Sequence, residues 1–172
     1  VIGKAIVRWS TRGASRFTAV SERSMDKLAN FFTTREWNQL KERSLLVPMG
    51  VDLILEPPNK PVHKNSIMFV GRIAEKKGLQ YLLPAFKELL HDVPDATLTV
   101  AGDGPLLNRL KKQAGNLGLT EPQVTFPGYT TGAAKQNLIN SQLVYVVPSI
   151  IADDGDAEGL PVTLMEGLAA GK

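Results

Sequence analysis

Ile67-Met-Phe-Val-Gly-Arg-Ile-Ala-Glu-Lys-Lys-Gly78 is the stretch on which the fold turns. Ile67 to Val70 is a short, wholly apolar run of the kind buried inside a sheet, and Gly71-Arg72 closes it in a tight turn. The helix expected next carries Leu79, Leu82, Leu83, Phe86, Leu89 and Leu90 on one stripe. Pro84 inside that stripe costs roughly 3 kcal/mol against a regular helix unless it sits near a kink. Strand and helix then alternate. Ala96 to Ala101 is a second strand, and Gly102-Asp-Gly-Pro105 opens a helix with Pro105 at the favoured first position and Leu106, Leu107, Leu110 and Ala114 inward. Val124 to Phe126 is a third strand, Ala133 to Ile139 a short helix, and Leu143 to Val147 a fourth strand. A last helix runs from Pro161 to about Ala170. Such alternation predicts an α/β fold, a Rossmann-like doubly wound parallel sheet that binds ligands at the carboxyl ends of its strands.

Upstream the pattern is less regular. Arg16 to Val20 is β-prone, Ser21 suits a helix N-cap, and Met25, Leu28, Ala29 and Phe32 recur at helical spacing. Leu45 to Asp52 predicts a strand ending in a turn. Residues 53–65 hold three prolines and several charges without an apolar period, the mark of a linker. We expect residues 1–52 to close one domain and residues 66–172 to form another. The start at Val1 and the stop at Gly171-Lys172, straight after a helix-like run, are expected to be cuts in a larger protein.

Composition excludes several classes. The chain has 172 residues, 43% apolar and 22% charged, which is too apolar for disorder. No run approaches the roughly 20 apolar residues of a membrane helix. Without cysteine there is no disulfide scaffold and no thiolate-bound metal, and His63 and His91 are the only histidines. The lack of cysteine fits a cytoplasmic protein. Net charge is +3, but residues 1–86 hold 14 Lys/Arg against 7 Asp/Glu, while residues 87–172 hold 6 against 10. A basic half suits nucleic acid, anionic lipid or a phosphorylated small molecule, or is a solvated face.

Four segments carry candidate chemistry. In Gly71 to Gly78, Arg72 and Lys77 flank a helix start, where each would add about 1.5–3 kcal/mol to phosphate binding; solvated surface cations are the other open reading. Gly102-Asp-Gly104 suggests a dinucleotide turn, but Leu107 stands where the third glycine belongs, and a plain capped turn explains it as well. In the acidic loop Asp153 to Gly159, Asp154, Asp156, Glu158 and Gly159 match positions 1, 3, 5 and 6 of a calcium loop, loosely at the fifth. Its twelfth position falls on Met165 and Pro161 interrupts, which excludes that site. Glu158 and Glu166 flank the start of the last helix. Helical side chains lean towards the N-terminus, so the two carboxylates would converge on one ligand and accept from vicinal hydroxyls, or else serve a helix dipole and a solvated face.

Together these segments resemble the carboxyl-terminal domain of a GT-B glycosyltransferase of the glycosyl transferase group 1 class, family 4. The matching residues are Phe69-Val-Gly-Arg72, Glu75-Lys-Lys-Gly78, Val100-Ala-Gly-Asp-Gly-Pro105, Val124-Thr-Phe-Pro-Gly128, Val147-Pro-Ser149 and the glutamate pair in 158–166. Val47-Pro-Met-Gly-Val-Asp52 looks like that family's crossing between domains, and Phe17-Thr-Ala-Val-Ser21 like the end of its amino-terminal domain. Gly155-Asp-Ala-Glu-Gly-Leu-Pro161 is most similar to the bacterial exopolysaccharide and colanic-acid type.

The resemblance implies roles. Arg72 and Lys77 would neutralise the diphosphate of a UDP- or GDP-sugar donor as it leaves, in place of a metal. Glu166 would accept from the ribose hydroxyls, and Glu158 with the N–H groups of Gly159 and Leu160 would hold the sugar. Gly71 would border the donor, and Gly128-Tyr129 would lie against the base. The implied reaction retains anomeric configuration and needs no cofactor or metal. The acceptor, a saccharide or lipid-linked saccharide, would meet the amino-terminal domain, so this chain alone would bind donor without full activity. The basic front part would let the whole enzyme rest on the inner face of a membrane. Two alternatives are a nicotinamide-dependent oxidoreductase using the Gly102 turn, and a non-catalytic nucleotide- or nucleic-acid-binding module. For nucleic acid the chain offers no recognition motif.

Overall fold

Ser21 and Thr33 each start a helix in the computed structural model, which describes residues 2–51 and 62–172. The first of two units, Val1–Gly50, runs α1 (Ile2–Arg12), β1 (Phe17–Ala19), α2 (Glu22–Ala29), α3 (Thr34–Lys41) and β2 (Ser44–Leu46). The expected Ser21 cap is present, its hydroxyl accepting from the Ser24 N–H at 3.2 Å. Helix α3 was not expected from its apolar spacing. Its Thr33-Thr-Arg-Glu36 nevertheless forms a capping box, Thr33 and Glu36 each satisfying the other's backbone. Glu36 also takes the Arg8 guanidinium from α1, and that bond above all, helped by Thr33, holds its carboxyl down at about 2. Strands β1 and β2 pair in parallel, Phe17 with Ser44 through Ala19 with Leu46. The expected strand at 45–52 is thus confined to β2, because only this stretch finds a partner; Asp52 and most of the expected linker, through residue 61, lie outside the described residues.

The second unit, Val51–Lys172, holds the alternation. Its elements are β3 (Ser66–Val70), a 3-10 turn (Glu75–Lys77), α4 (Leu79–Asp92), β4 (Thr97–Ala101), α5 (Leu107–Asn116), β5 (Val124–Gly128), α6 (Gly132–Ser141), β6 (Val144–Tyr145) and α7 (Val162–Ala169). The four strands stand in the order β5-β4-β3-β6, all parallel. Period two divides each central strand between two cores. Phe69, Leu98 and Val100 join Leu79, Leu83 and Phe86 of α4 and Leu110 and Ala114 of α5. On the other face Met68, Val70 and Ala101 meet Ile139 of α6, with Tyr145 and Ala170 packed against them. Helices therefore cover both faces, as a doubly wound sheet requires. Each large apolar side chain so buried contributes about 1.5–3 kcal/mol.

Pro84 sits within α4 after all. A proline there leaves the carbonyl of Gln80 without its N–H donor. The Gln113 side chain of α5 replaces it, Nε2 donating to the Gln80 oxygen at 2.8 Å. Two expected helix starts move. Pro105 stands in a turn, with α5 beginning at Leu107, and Pro161 caps α7 rather than opening it. The fourth strand shrinks from five expected residues to Val144–Tyr145, since only these two pair with β3.

Candidate functional site

Three loops at the carboxyl ends of β3, β4 and β5 are laced together by their backbones. Gly71 N–H donates to Ala101 O at 3.0 Å, Ile73 N–H to Asp103 O at 2.8 Å, and Gly102 N–H to Gly128 O at 2.8 Å. The approach is too close for side chains: a Cβ on Gly102, whose φ is +149°, would lie 1.9 Å from the Gly71 oxygen. The Gly102-Asp-Gly104 motif thus lets two strand ends touch. Asp103 turns its carboxylate onto its own loop, accepting from the Gly104 N–H at 2.7 Å.

These loops border a cavity of about 470 Å³. Gly71, Arg72 and the Gly102–Gly104 turn line one side, and Tyr129, Thr130 and Thr131 another. Lys135, in the first turn of α6, and Thr163, in the first turn of α7, complete the wall. Arg72 is exposed and has no ion-pair partner among the described residues. The hydroxyl of Thr130 is buried without a hydrogen-bond partner among the described residues. A concave site with a free guanidinium and an unbonded hydroxyl, at the carboxyl edge of a parallel sheet, is built to hold a small anionic ligand.

A second cluster lies on the 3-10 turn. Lys77 keeps only 10% of its side chain exposed, and its Nζ is 3.2 Å from Glu158 Oε2. Lys76 Nζ is 2.9 Å from Asp156 and 3.5 Å from Glu158. The hydrogen bond to Asp156 above all raises the Lys76 ammonium above its ordinary value, against the cost of its burial. Asp154 accepts from the Asp156 N–H at 2.8 Å, so it is engaged within the loop, while Asp156 and Glu158 pair with the two lysines of the turn. Among the described residues no three His, Asp or Glu side chains come together as a metal site. Gly78 ties the turn to the segment after β6: at φ +68°, its Cβ would stand 1.9 Å from the Pro148 oxygen.

Of the residues singled out from sequence, Gly71, Arg72 and Tyr129 line the cavity. Gly128 borders it through its bond to Gly102. Lys77 and Glu158 pair with each other, and Gly159 and Leu160 lie in the bend before α7. Glu166 reaches the cavity wall indirectly, its Oε1 lying 2.6 Å from Lys135 Nζ. The two glutamates therefore engage different lysines. Lys135, Thr130, Thr131 and Thr163 were not singled out. Lys135 left one signal, as the sole cation between residues 113 and 171.

Tyr145, beneath this wall, donates its hydroxyl to the Val70 carbonyl at 3.3 Å. Burial, with the negative Glu166 adding to it, pushes the phenol up to about 12. Folding thus favours the neutral form, so its contribution is complete below pH 10 and is lost as pH rises towards 12. Phenolate absorbance should show a component near 12 that disappears in Tyr145→Phe. Stability of the wild type should fall more steeply than that of the variant above pH 10.

The pattern of the family "Glycosyl transferases group 1" matches residues 51–172, the whole of the unit that carries this cavity. The chain belongs to the group 1 glycosyl transferases. It is 31% identical over 134 residues to WcaL of Escherichia coli (strain K12), named for colanic acid biosynthesis, covering 76% of this chain and 33% of WcaL. To the amylovoran biosynthesis glycosyltransferase AmsK of Erwinia amylovora it is 33% identical over 105 residues, 61% of this chain and 26% of AmsK. The chain thus spans about a third of the length of WcaL. Among solved structures, TarM of S. aureus superposes with a TM-score of 0.75 at 16% identity, over 98% of this chain and 30% of TarM. HepE of Anabaena gives 0.71 at 19% identity, over 98% of this chain and 47% of HepE. These likenesses are of fold alone. The nicotinamide-dependent alternative is not favoured: the family match lies elsewhere, and Leu107 opens α5 where a third glycine would stand.

Proposed function

We propose that this chain supplies the donor side of a glycosyltransferase that moves a sugar from a nucleotide-diphosphate sugar to a saccharide or lipid-linked acceptor. The reaction retains anomeric configuration, needs no metal and serves polysaccharide or glycoconjugate synthesis. The observation that carries the reading is the cavity at the ends of β3, β4 and β5, lined by Arg72, which has no ion-pair partner among the described residues. In support, TarM is described in complex with UDP, HepE with UDP and glucose, and WcaL and AmsK are named for colanic acid and amylovoran biosynthesis.

In this reading Arg72 receives the diphosphate and stabilises the charge that grows on it as the glycosidic bond breaks. Lys77 assists, held in place by Glu158 until the donor arrives. The ring of Tyr129, 77% exposed at the cavity edge, lies against the base, with Gly128 beside it. Glu166 takes the ribose hydroxyls, and Glu158 with Gly159 and Leu160 the sugar. Residues 1–52 close the acceptor-side domain, 53–65 link, and 66–172 bind donor, so these 172 residues bind without turning over. The whole enzyme works in the cytoplasm, with peripheral contact to a membrane. Among the described residues no helix is long and apolar enough to cross one.

Calorimetric titration with UDP, GDP, ADP and NAD in chelator tests the reading. Binding of one nucleoside diphosphate without metal is expected. Binding of NAD alone, or a strict metal requirement, overturns it.

A further inference from the structure

Glu166 is a carboxylate with one oxygen engaged and one idle. Its Oε1 lies 2.6 Å from Lys135 Nζ, a bond that joins α7 to α6. Its Oε2 is buried and has no hydrogen-bond partner among the described residues. A charged acceptor kept dry and unbonded is costly unless a donor arrives from elsewhere. Lys135 lines the cavity, and so does Thr163, one turn before Glu166 on α7. Glu166 therefore adjoins two residues of the cavity wall. An ammonium on Oε1 fixes the carboxylate's rotamer, since a charge-assisted bond at this distance is strong and directional.

We infer that Lys135 is a positioning residue: it holds the Glu166 carboxylate oriented so that Oε2 can accept from the hydroxyls of the donor's ribose. The inference rests on the ribose role proposed for Glu166 and adds the residue through which that role operates. Lys135 acts through the carboxylate, and its loss matters only while Glu166 is present.

The test is a double-mutant cycle on ligand binding. UDP, GDP, their 2′-deoxy forms and pyrophosphate are titrated against the wild type, Lys135→Met, Glu166→Gln and the double variant, each checked for folding by circular dichroism. The wild type is expected to favour ribose over 2′-deoxyribose by about tenfold, the order of one hydrogen bond to a charged group. Lys135→Met should shrink that preference to about twofold and leave pyrophosphate affinity within about twofold of wild type. The double variant should be no weaker than Glu166→Gln, and Lys135→Arg, which keeps a cation on Oε1, should restore the preference. A preference lost in Glu166→Gln but retained in Lys135→Met overturns the inference and leaves the ribose role standing. A double variant well below Glu166→Gln also overturns it, because Lys135 would then touch the ligand itself. Equal binding of ribo and deoxy forms by the wild type, or no binding at all, removes the ribose role and the inference with it. Should Lys135→Met fail to fold, Lys135→Gln takes its place in the same cycle.

Discussion

Gly102→Ala is expected to unfold the second unit or cost it about 4 kcal/mol or more, a loss reserved for specific structural conflicts. The new methyl would stand 1.9 Å from the Gly71 carbonyl oxygen, at a φ of +149° that alanine avoids. The obstacle is backbone, so no rotamer relieves it. Separating the two strand ends would break the bonds from Gly71 N–H to Ala101 O and from Gly102 N–H to Gly128 O. Gly115→Ala provides the control. It lies in α5 with no atom within 4 Å of the added carbon, and should be neutral or stabilise by up to about 1 kcal/mol. Thermal unfolding followed by circular dichroism separates the two. Similar midpoints for both variants would mean that the strand ends do not meet as described.

Arg72→Ala should weaken nucleoside diphosphate binding about tenfold or more while leaving the corresponding nucleoside within about twofold. The size follows from competition. Lys77 already faces Glu158 at 3.2 Å and Lys135 faces Glu166 at 2.6 Å, so an incoming anion must share each with a carboxylate. Arg72 has no such partner among the described residues, and its whole attraction is available to the ligand. Because it is exposed, the effect should shrink as salt rises. Equal losses for nucleoside and diphosphate would place Arg72 in the structure of the site and not on the phosphates.

The sheet was legible because its signal is local. Ile67 to Val70 is a continuous apolar run and Ala96 to Ala101 a β-prone run with threonine at every second place, each followed by glycine, and the stripe from Leu79 to Leu90 has a clear helical period. Each property survives without knowledge of the partner strand. The misses depend on partners. Leu143 to Val147 has the composition of a strand, yet only Val144 and Tyr145 pair with β3; after the bond from Val146 N–H to Met68 O the chain leaves the sheet, and Ile150 N–H bonds to Lys76 O. Helix α3 is short and polar, and its existence rests on a box of two side chains.

At the site, glycines and Arg72 could be found because a strand end makes its own demands. The engagements of the acids could not. Lys135 and Glu166 lie 31 residues apart and meet only because α6 and α7 cover the same face of the sheet. No spacing rule connects them, which is why Glu158 and Glu166 read as a pair in sequence and take separate lysines in the fold.

Amide chemical-shift mapping of the chain during titration with UDP and with GDP, in chelator, tests the central claim most directly. With one of the two, shifts should concentrate at Gly71, Arg72, Gly102, Tyr129 and Lys135, and saturate with a single affinity. Saturable binding whose shifts fall in residues 2–50, or on the α4 and α5 face, would contradict it.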